Sequence, residues 1–196
     1  NGIIAYALNQ MTWTAGKKSI TLKSVGNATN FTFTAEYGQQ STPDINLYGR
    51  SITLKDNIDV NYYMELSDSI MESDAYLEFK LADKTYTINV NDAAEVSEDG
   101  KSLYKFSCPV SAAQMSDTIE TKIVVDNETK EEYTYSVKEY VEQLLSGDKT
   151  YSDETINLAK ALLNYGAAAQ TFFNYNTGNP ANSILSDADK TISACN

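Results

Sequence analysis

Hydrophobic side chains follow two different periods along this chain, and the period changes at Ser136. Before that residue, apolar positions recur every second residue, in short runs that turns interrupt. This is the period of a β-strand with one buried face. After Ser136, apolar positions recur at spacings of three and four residues, as in an amphipathic helix. The pattern therefore predicts a mainly β body followed by a helical C-terminal layer.

The predicted strands of the body are seven short alternating runs between residues 51 and 137. In IDVNYYMEL, for example, Val60, Tyr62 and Met64 alternate with polar side chains. Clean alternation predicts one solvated face per strand, which favours antiparallel pairing. Turns at Glu98-Asp99-Gly100 and Asp126-Asn127-Glu128 separate some of these runs. Regular turn spacing is typical of an immunoglobulin-like β-sandwich, although the Cys…Trp…Cys pattern of antibody domains is absent.

Two helices are predicted after the strands. The first is expected to begin after Ser136 as N-cap, with Glu139 completing a capping box, and to end at Gly147. The second is expected to begin after Ser152 and to reach about residue 174. Its wide apolar arc, which includes Leu162, Leu163, Phe172 and Phe173, predicts burial on two sides. We expect both helices to pack on the sandwich.

The domain organisation is predicted from the same patterns. The runs KSITLKSV and NFTFTAEY indicate two strands, and residues 38–50 indicate a connector. We predict an N-terminal β segment over 1–50, which either forms a small separate subdomain or shares the main core. Residues 51–196 form the main domain, with the sandwich over 51–137 and the helical layer over 138–196.

Composition excludes several classes of function. Histidine is absent, so Ser-His-Asp and Cys-His nucleophile systems and histidine bases cannot form. The net charge of −12 disfavours binding to nucleic acid, and no apolar run is long enough for membrane insertion. Phosphate-binding glycine motifs are also missing. We therefore expect no catalytic residue, no cofactor and no metal.

Two chemical alternatives stay open at this stage. The chain has 27 acidic residues, so a glycosidase-like carboxylate pair is the enzyme alternative. The turn Asp187-Ala188-Asp189 is a candidate calcium site, although EF-hand spacing is absent. Cys108 is either a small buried apolar side chain or the partner of Cys195 in a disulfide.

Tyrosine is the positive signal, because the chain has 14 of them. Strand parity places Tyr63 and Tyr76 on outward faces, and Tyr48 lies in the predicted connector. Exposed tyrosine offers a large contact area at low side-chain entropy cost, so these three are the candidate ligand-binding residues. The alternative is that cross-strand tyrosines only stabilise a sheet face.

Three stretches within residues 51–182 carry a family resemblance. They are ITLKDNIDVNYYMELSD, LYKFSCPVSAAQMSDTIETKIV and YSVKEYVEQLLSGDKTYSDETINLAKALLNYGAAAQTFFNYNTGNPAN. Together they resemble a module of large secreted or wall-attached surface proteins of gut-dwelling Gram-positive bacteria. Some proteins of this kind are superantigen-like binders of immunoglobulin variable domains, and others are uncharacterised adhesins. The resemblance implies an extracellular or cell-surface location for a fragment of a larger protein.

We therefore expect a non-enzymatic binding module whose partner is a protein, with an antibody variable domain as the specific candidate. Binding would use an exposed sheet face or an edge strand, with tyrosines as anchors. The alternatives are a carbohydrate-binding or adhesin module, in which exposed tyrosines stack on sugars, and a structural spacer that binds nothing.

Overall fold

The computed structural model describes residues 18–22, 31–35, 44–55, 57–147 and 150–191, and the chain divides into two compact units, Asn1–Pro43 and Asp44–Asn196. In the first unit, β1 (Lys18–Leu22) pairs antiparallel with β2 (Phe31–Ala35). Ile20 lies opposite Phe33 in that register. Both strands predicted for this segment are confirmed.

The second unit contains two antiparallel sheets of four strands each. The β4 sheet has the order β3-β4-β8-β7, and the β5 sheet has the order β10-β9-β5-β6. The strands are β3 (Ile45–Leu54), β4 (Ile58–Leu66), β5 (Ala75–Leu81), β6 (Lys84–Asn89), β7 (Ala94–Glu98), β8 (Lys101–Val110), β9 (Ile119–Val125) and β10 (Glu128–Tyr135). The chain is thus mainly β, and its two sheets are consistent with the predicted β-sandwich.

The core lies between the two sheets, as the alternation predicted. Tyr62 of β4 and Phe79 of β5 are both fully buried, and their ring centroids are 5.2 Å apart. Met64 and Leu77 are buried beside them. Burying side chains of this size stabilises the fold by about 1.5–3 kcal/mol each, so the inward-facing rows dominate the stability.

Tight turns join several strand pairs where the sequence predicted them. Asp126 and Asn127 both have positive φ, at 50° and 65°, between β9 and β10. Asp99 and Gly100, between β7 and β8, also have positive φ, at 50° and 75°. Two successive positive φ angles are the signature of a type I′ hairpin turn, whose twist matches that of the flanking strands.

The first strand of the second unit corrects the predicted connector. Residues 45–50 belong to β3, which pairs with β4 from Ile45 opposite Leu66 to Leu54 opposite Ile58. The predicted boundary between residues 50 and 51 therefore falls inside a strand. The register shifts between Leu47 and Gly49, which leaves Tyr48 as the extra residue of a β-bulge. The bulge breaks the period of two, so the sequence pattern hides this strand.

One strand was not predicted at all. β7 pairs with β8 along its length and forms an edge of the β4 sheet. It has five residues, of which only Val96 is a large apolar side chain. A strand this short and this exposed carries too little alternation to be recognised from sequence.

Three α-helices are described, namely α1 (Asp68–Met71), α2 (Val137–Leu145) and α3 (Asp153–Phe173). Ser136 Oγ accepts the Glu139 N–H at 3.0 Å, and Ser152 Oγ accepts the Thr155 N–H at 3.3 Å. Both predicted N-caps are therefore confirmed. The tail after α3 forms two short 3-10 segments, Ala181–Ile184 and Asp189–Thr191.

Side chains of the two long helices belong to the same buried cluster as the strands. Val137 and Val141 of α2 and Leu163 of α3 are at most 1% exposed within it. The Lys138 N–H also donates to the Met115 carbonyl at 2.9 Å, which ties the start of α2 to the chain between β8 and β9.

Candidate binding surfaces

The three tyrosines predicted as ligand-binding residues lie on different strands. Tyr48 occupies the bulge of β3, Tyr63 lies on β4, and Tyr76 lies on β5 of the other sheet. Each is half-buried. The three residues therefore do not share one sheet.

Two of these tyrosines are held by contacts within the protein. The Tyr48 hydroxyl donates to Asp99 Oδ2 at 3.0 Å, and this bond to a carboxylate raises the pKa of Tyr48. Lys101 Nζ lies 5.5 Å from the same ring centroid. The Tyr63 hydroxyl lies 3.0 Å from Ser51 Oγ. These contacts fix the rings against the β4 sheet, as cross-strand partners would.

Exposed apolar side chains instead concentrate on α3. Leu158 is 51% exposed, Tyr165 61% and Phe172 83%. Their spacing of seven residues places them in one stripe along the helix. Phe173 is 68% exposed, and its ring meets that of Phe172 edge to face, with centroids 4.9 Å apart.

This stripe continues onto the end of β3. Leu54 and Leu158 line a cavity of about 190 Å³, together with the half-buried Leu162. Leu54, Leu162 and Tyr165 line a second cavity of about 350 Å³. We call the combined area the α3 surface, and its members are Leu54, Leu158, Leu162, Tyr165, Phe172 and Phe173.

The α3 surface corrects part of the prediction that the apolar arc of this helix is buried on two sides, because the C-terminal end of the arc is exposed. The main buried face of α3 consists of Ala159, Leu163, Gly166 and Gln170, with Ala169 beside it, and Ala161 is buried on the opposite side of the helix. Phe172 and Phe173, which were expected to be buried, face outward. The spacing of Leu158, Tyr165 and Phe172 is the sequence signal that could have identified a second, separate stripe.

A second candidate site surrounds Arg50 at the β3 edge. Its guanidinium carbon lies 4.3 Å from the ring centroid of Tyr135, 5.2 Å from that of Tyr62 and 5.8 Å from that of Tyr133. Burial raises the pKa of Tyr135 to about 12, and the neighbouring Arg50 charge opposes that shift. The Tyr135 hydroxyl donates to Gln143 Oε1 at 2.7 Å. Arg50 thus lies in an aromatic environment that remains open on one side, as a cavity of about 410 Å³ shows.

A fourth, polar cavity of about 450 Å³ adjoins Asp117. The Tyr175 hydroxyl donates to Asp117 Oδ2 at 2.5 Å, and Asn176 Nδ2 donates to Asp117 Oδ1 at 2.7 Å. The bond to this carboxylate raises the pKa of Tyr175. Both Asp117 carboxylate oxygens accept hydrogen bonds that stabilise the chain reversal after α3. We therefore interpret the cavity as part of this loop.

The acidic side chains of the candidate calcium turn are paired with lysines. Asp187 Oδ1 lies 3.0 Å from Lys190 Nζ, and Asp189 Oδ1 lies 2.8 Å from Lys160 Nζ. In the part of the chain that the structure describes, no three Cys, Asp or Glu side chains are grouped so as to hold a metal ion. Asp189 therefore anchors the tail to α3 through Lys160, whereas the ion pair of Asp187 with Lys190 lies within the tail.

Cys108 is a fully buried free thiol, and burial raises its pKa to about 12. Cys195 lies outside the described residues. We expect the thiol of the Cys195→Ser protein to be unreactive toward a thiol reagent at pH 8, because little thiolate forms and the reagent cannot reach it. It should react at once in urea, as absorbance of the released chromophore would show. Rapid reaction in the folded protein would contradict this expectation.

Comparisons with known proteins add no further constraint. The chain matches no protein family model, no curated protein and no solved structure. None of the helices in the described residues combines the length and the apolar character that crossing a bilayer requires.

Proposed function

We propose that this chain is a non-enzymatic binding module that binds a protein partner through the α3 surface. The observation that carries the proposal is the concentration of exposed apolar side chains on this surface. Six large apolar side chains of the described residues are exposed, and five of them belong to the α3 surface. Contiguous exposed patches that are rich in aromatic residues are typical of protein interfaces.

We propose an immunoglobulin variable domain as the partner and a location outside a bacterial cell. Both follow from the resemblance to surface proteins of gut bacteria. The net charge of −12 supports a partner whose apolar patch is bordered by basic residues, since complementary charge speeds association. The same resemblance supports an immunoglobulin-like sandwich on which both long helices pack, and the shared buried cluster of α2, α3 and the strands agrees with it.

The predicted route through an edge strand has less support than the α3 surface. Of the edge strands, β3 carries the bulge at Tyr48, and β10 has a register shift between Thr129 and Glu131. β10 also carries several glutamates. Bulges and charges at an edge hinder the addition of another strand.

The carbohydrate-binding alternative also has less support on this surface. The rings of Phe172 and Phe173 stand at 90° to each other, so they form no flat platform for a sugar ring. A glycan array separates the two functions, because only a carbohydrate-binding module gives a signal there. A structural spacer gives no signal in either assay.

The test is titration of immunoglobulin Fab fragments onto the immobilised protein. We expect binding, and we expect the double variant Tyr165→Ser/Phe172→Ser to weaken it by about 30-fold, as for a hot spot worth about 2 kcal/mol. The fold should be unaffected, because both side chains are exposed.

Tyr76→Ser is the matched control, since it removes a predicted binding tyrosine on a different face. It should leave Fab affinity unchanged. If Tyr76→Ser abolishes binding and the double variant does not, the sheet face is the binding surface. Absence of binding to any Fab at micromolar concentration would reject the antibody partner.

A further inference from the structure

Arg50 is the only arginine in the chain, and its position is unusual for a charged residue. The bulge at Tyr48 shifts the parity of β3, so that Arg50 lies opposite Tyr62 and shares its inward face. Tyr62 is fully buried. The bulge therefore directs the guanidinium into the space between the sheets at the β3 edge.

The surroundings of Arg50 provide aromatic faces, and no carboxylate of the described residues lies within ion-pair distance of the guanidinium. Its guanidinium lies over the ring of Tyr135, with Tyr62 and Tyr133 near it. Such contacts stabilise a cation only in part. Within residues 44–55, 57–147 and 150–191, six lysines form ion pairs with carboxylates, and Arg50 forms none. An arginine that is half-buried without a counter-charge is uncommon, because the charge has lost part of its hydration.

Buried polar atoms beside the guanidinium also lack partners. Arg50 Nε, Tyr62 OH and Thr121 Oγ1 are buried, and none of them forms a hydrogen bond to the described residues. Burial raises the pKa of Tyr62, and the nearby Thr121 and Arg50 oppose that shift. Neither residue forms a hydrogen bond with the Tyr62 hydroxyl. Buried polar atoms without partners are rare in folded proteins and call for an explanation.

The cavity beside Arg50 has the size and lining of a small-molecule site. Its volume of about 410 Å³ lies within the range of known ligand pockets. Apolar and aromatic walls are combined with a few polar groups, and the lining residues are Gly49, Arg50, Tyr135, Tyr140, Gln143, Leu144 and Tyr151. Gln143 uses its oxygen to accept from Tyr135, which leaves its amide nitrogen as a donor in the lining of the same cavity.

We propose that this cavity, the Arg50 pocket, binds a carboxylate carried on an aromatic or apolar body. The planar guanidinium can donate two parallel hydrogen bonds to the two oxygens of a carboxylate. Gln143 would supply a further donor, and Leu144 with the tyrosine rings would cover the body of the ligand. This site is separate from the proposed antibody contact and does not depend on it. The carboxylate can belong to a free acid or to the C-terminus of a peptide.

The competing explanation is that Arg50 only protects the sheet edge. Inward-pointing charges at an edge strand discourage pairing with other chains. In that case Arg50 would matter for stability or aggregation, and no carboxylate would bind. Binding of a defined acid therefore separates the two explanations.

The experiment is a titration followed by ¹H–¹⁵N NMR with 3-phenylpropionate and with its neutral amide as the matched ligand. We expect saturable shifts around Tyr135, Gln143 and Tyr151 with the acid, and at least about ten-fold weaker binding of the amide. N-acetyl-alanyl-phenylalanine and its C-terminal amide form the peptide arm. Binding of either acid supports the proposal, and the arm that binds more tightly identifies the source.

Variants connect the binding to Arg50. Arg50→Lys keeps the charge but loses the two-pronged geometry, and we expect it to weaken acid binding by about ten-fold. Arg50→Gln removes the charge as well and should abolish acid binding. Lys130→Gln changes the net charge as Arg50→Gln does without touching the pocket, and the acid should bind it as tightly as the parent protein. If Arg50→Gln does not fold, Tyr151→Ala tests the pocket wall instead, because this side chain is exposed.

Three results would overturn the proposal. They are equal affinity for the acid and the amide, unchanged acid affinity in a folded Arg50→Gln variant, and absence of shifts with both acids at millimolar concentration. The Tyr165→Ser/Phe172→Ser variant should still bind the acid. Failure of this proposal can therefore be told apart from failure of the proposed antibody contact.

Discussion

Replacing Gln170 by leucine is expected to lower the free energy of unfolding by about 3–5 kcal/mol. Gln170 is 1% exposed and lies on the buried face of α3. Its Nε2 donates to Ser116 Oγ at 2.8 Å and to two carbonyls of the following loop, those of Asn179 at 3.1 Å and Asn176 at 3.3 Å. Its Oε1 accepts the Ala181 N–H at 2.7 Å.

Leucine has a similar volume but neither a donor nor an acceptor, so it would leave several of these groups buried without a partner. Each such group costs about 1–3 kcal/mol. Urea denaturation followed by circular dichroism measures the loss. Gln143→Leu is the control, because this glutamine lies on the exposed side of α2 and makes only the bond to Tyr135. We expect it to lose about 1 kcal/mol. A similar loss in both variants would show that the loop after α3 holds without the Gln170 amide.

The second large effect is expected at Gly166, where alanine should destabilise the protein by about 1–3 kcal/mol. Helix propensity alone predicts the opposite sign, since alanine is favoured over glycine by about 1 kcal/mol inside a helix. Packing decides the outcome. An added Cβ would lie 2.7 Å from Met115 Sδ, 3.0 Å from Ala181 Cβ and 3.3 Å from the Ala112 carbonyl oxygen. Met115 is fully buried, so its sulfur has little space into which to move.

Gly178→Ala is the matched control for Gly166→Ala. No atom beyond the two neighbouring residues lies within 4 Å of a Cβ at residue 178. We expect the midpoint of thermal unfolding to stay unchanged or to rise slightly, because alanine reduces the freedom of the unfolded chain. If Gly166→Ala is instead as stable as Gly178→Ala, the contact with Met115 is loose and the close packing of α3 is not limiting.

The parts of the fold that could be predicted are those set by local patterns. Alternation identified the strands that carry Val60, Tyr62 and Met64, and the hydroxyls of Ser136 and Ser152 marked the starts of the two long helices. Short sequence windows suffice for such features, because the side chains involved are neighbours in the chain. The turns at Asp99 and Asp126 belong to the same class, although only the structure shows their type I′ geometry.

The parts that could not be predicted depend on long-range contacts. Parity placed Tyr63 on the outward face of β4. It could not predict that the Tyr63 hydroxyl contacts Ser51 of the neighbouring strand. In the sequence, Gln170 looks like an ordinary polar residue of a helix. Its buried hydrogen-bond partner, Ser116, lies 54 positions earlier in the chain and is brought to it only by folding. Apolar residues at the end of α3 were expected inside the protein. Hydrophobicity alone does not show which side of a helix the rest of the protein covers.

The extra residue in β3 controls what the strand presents to each side. Successive side chains of a strand point to opposite faces of the sheet. Deleting Tyr48 would therefore move the side chains of one half of β3 to the opposite face. Either Ile45 and Leu47 or Arg50 and Ile52 would then exchange the inward face for the outward one. In the second case the chain's single guanidinium would move into water and its cavity would lose the charge. One residue of strand length thus determines whether this protein has a charged pocket at all.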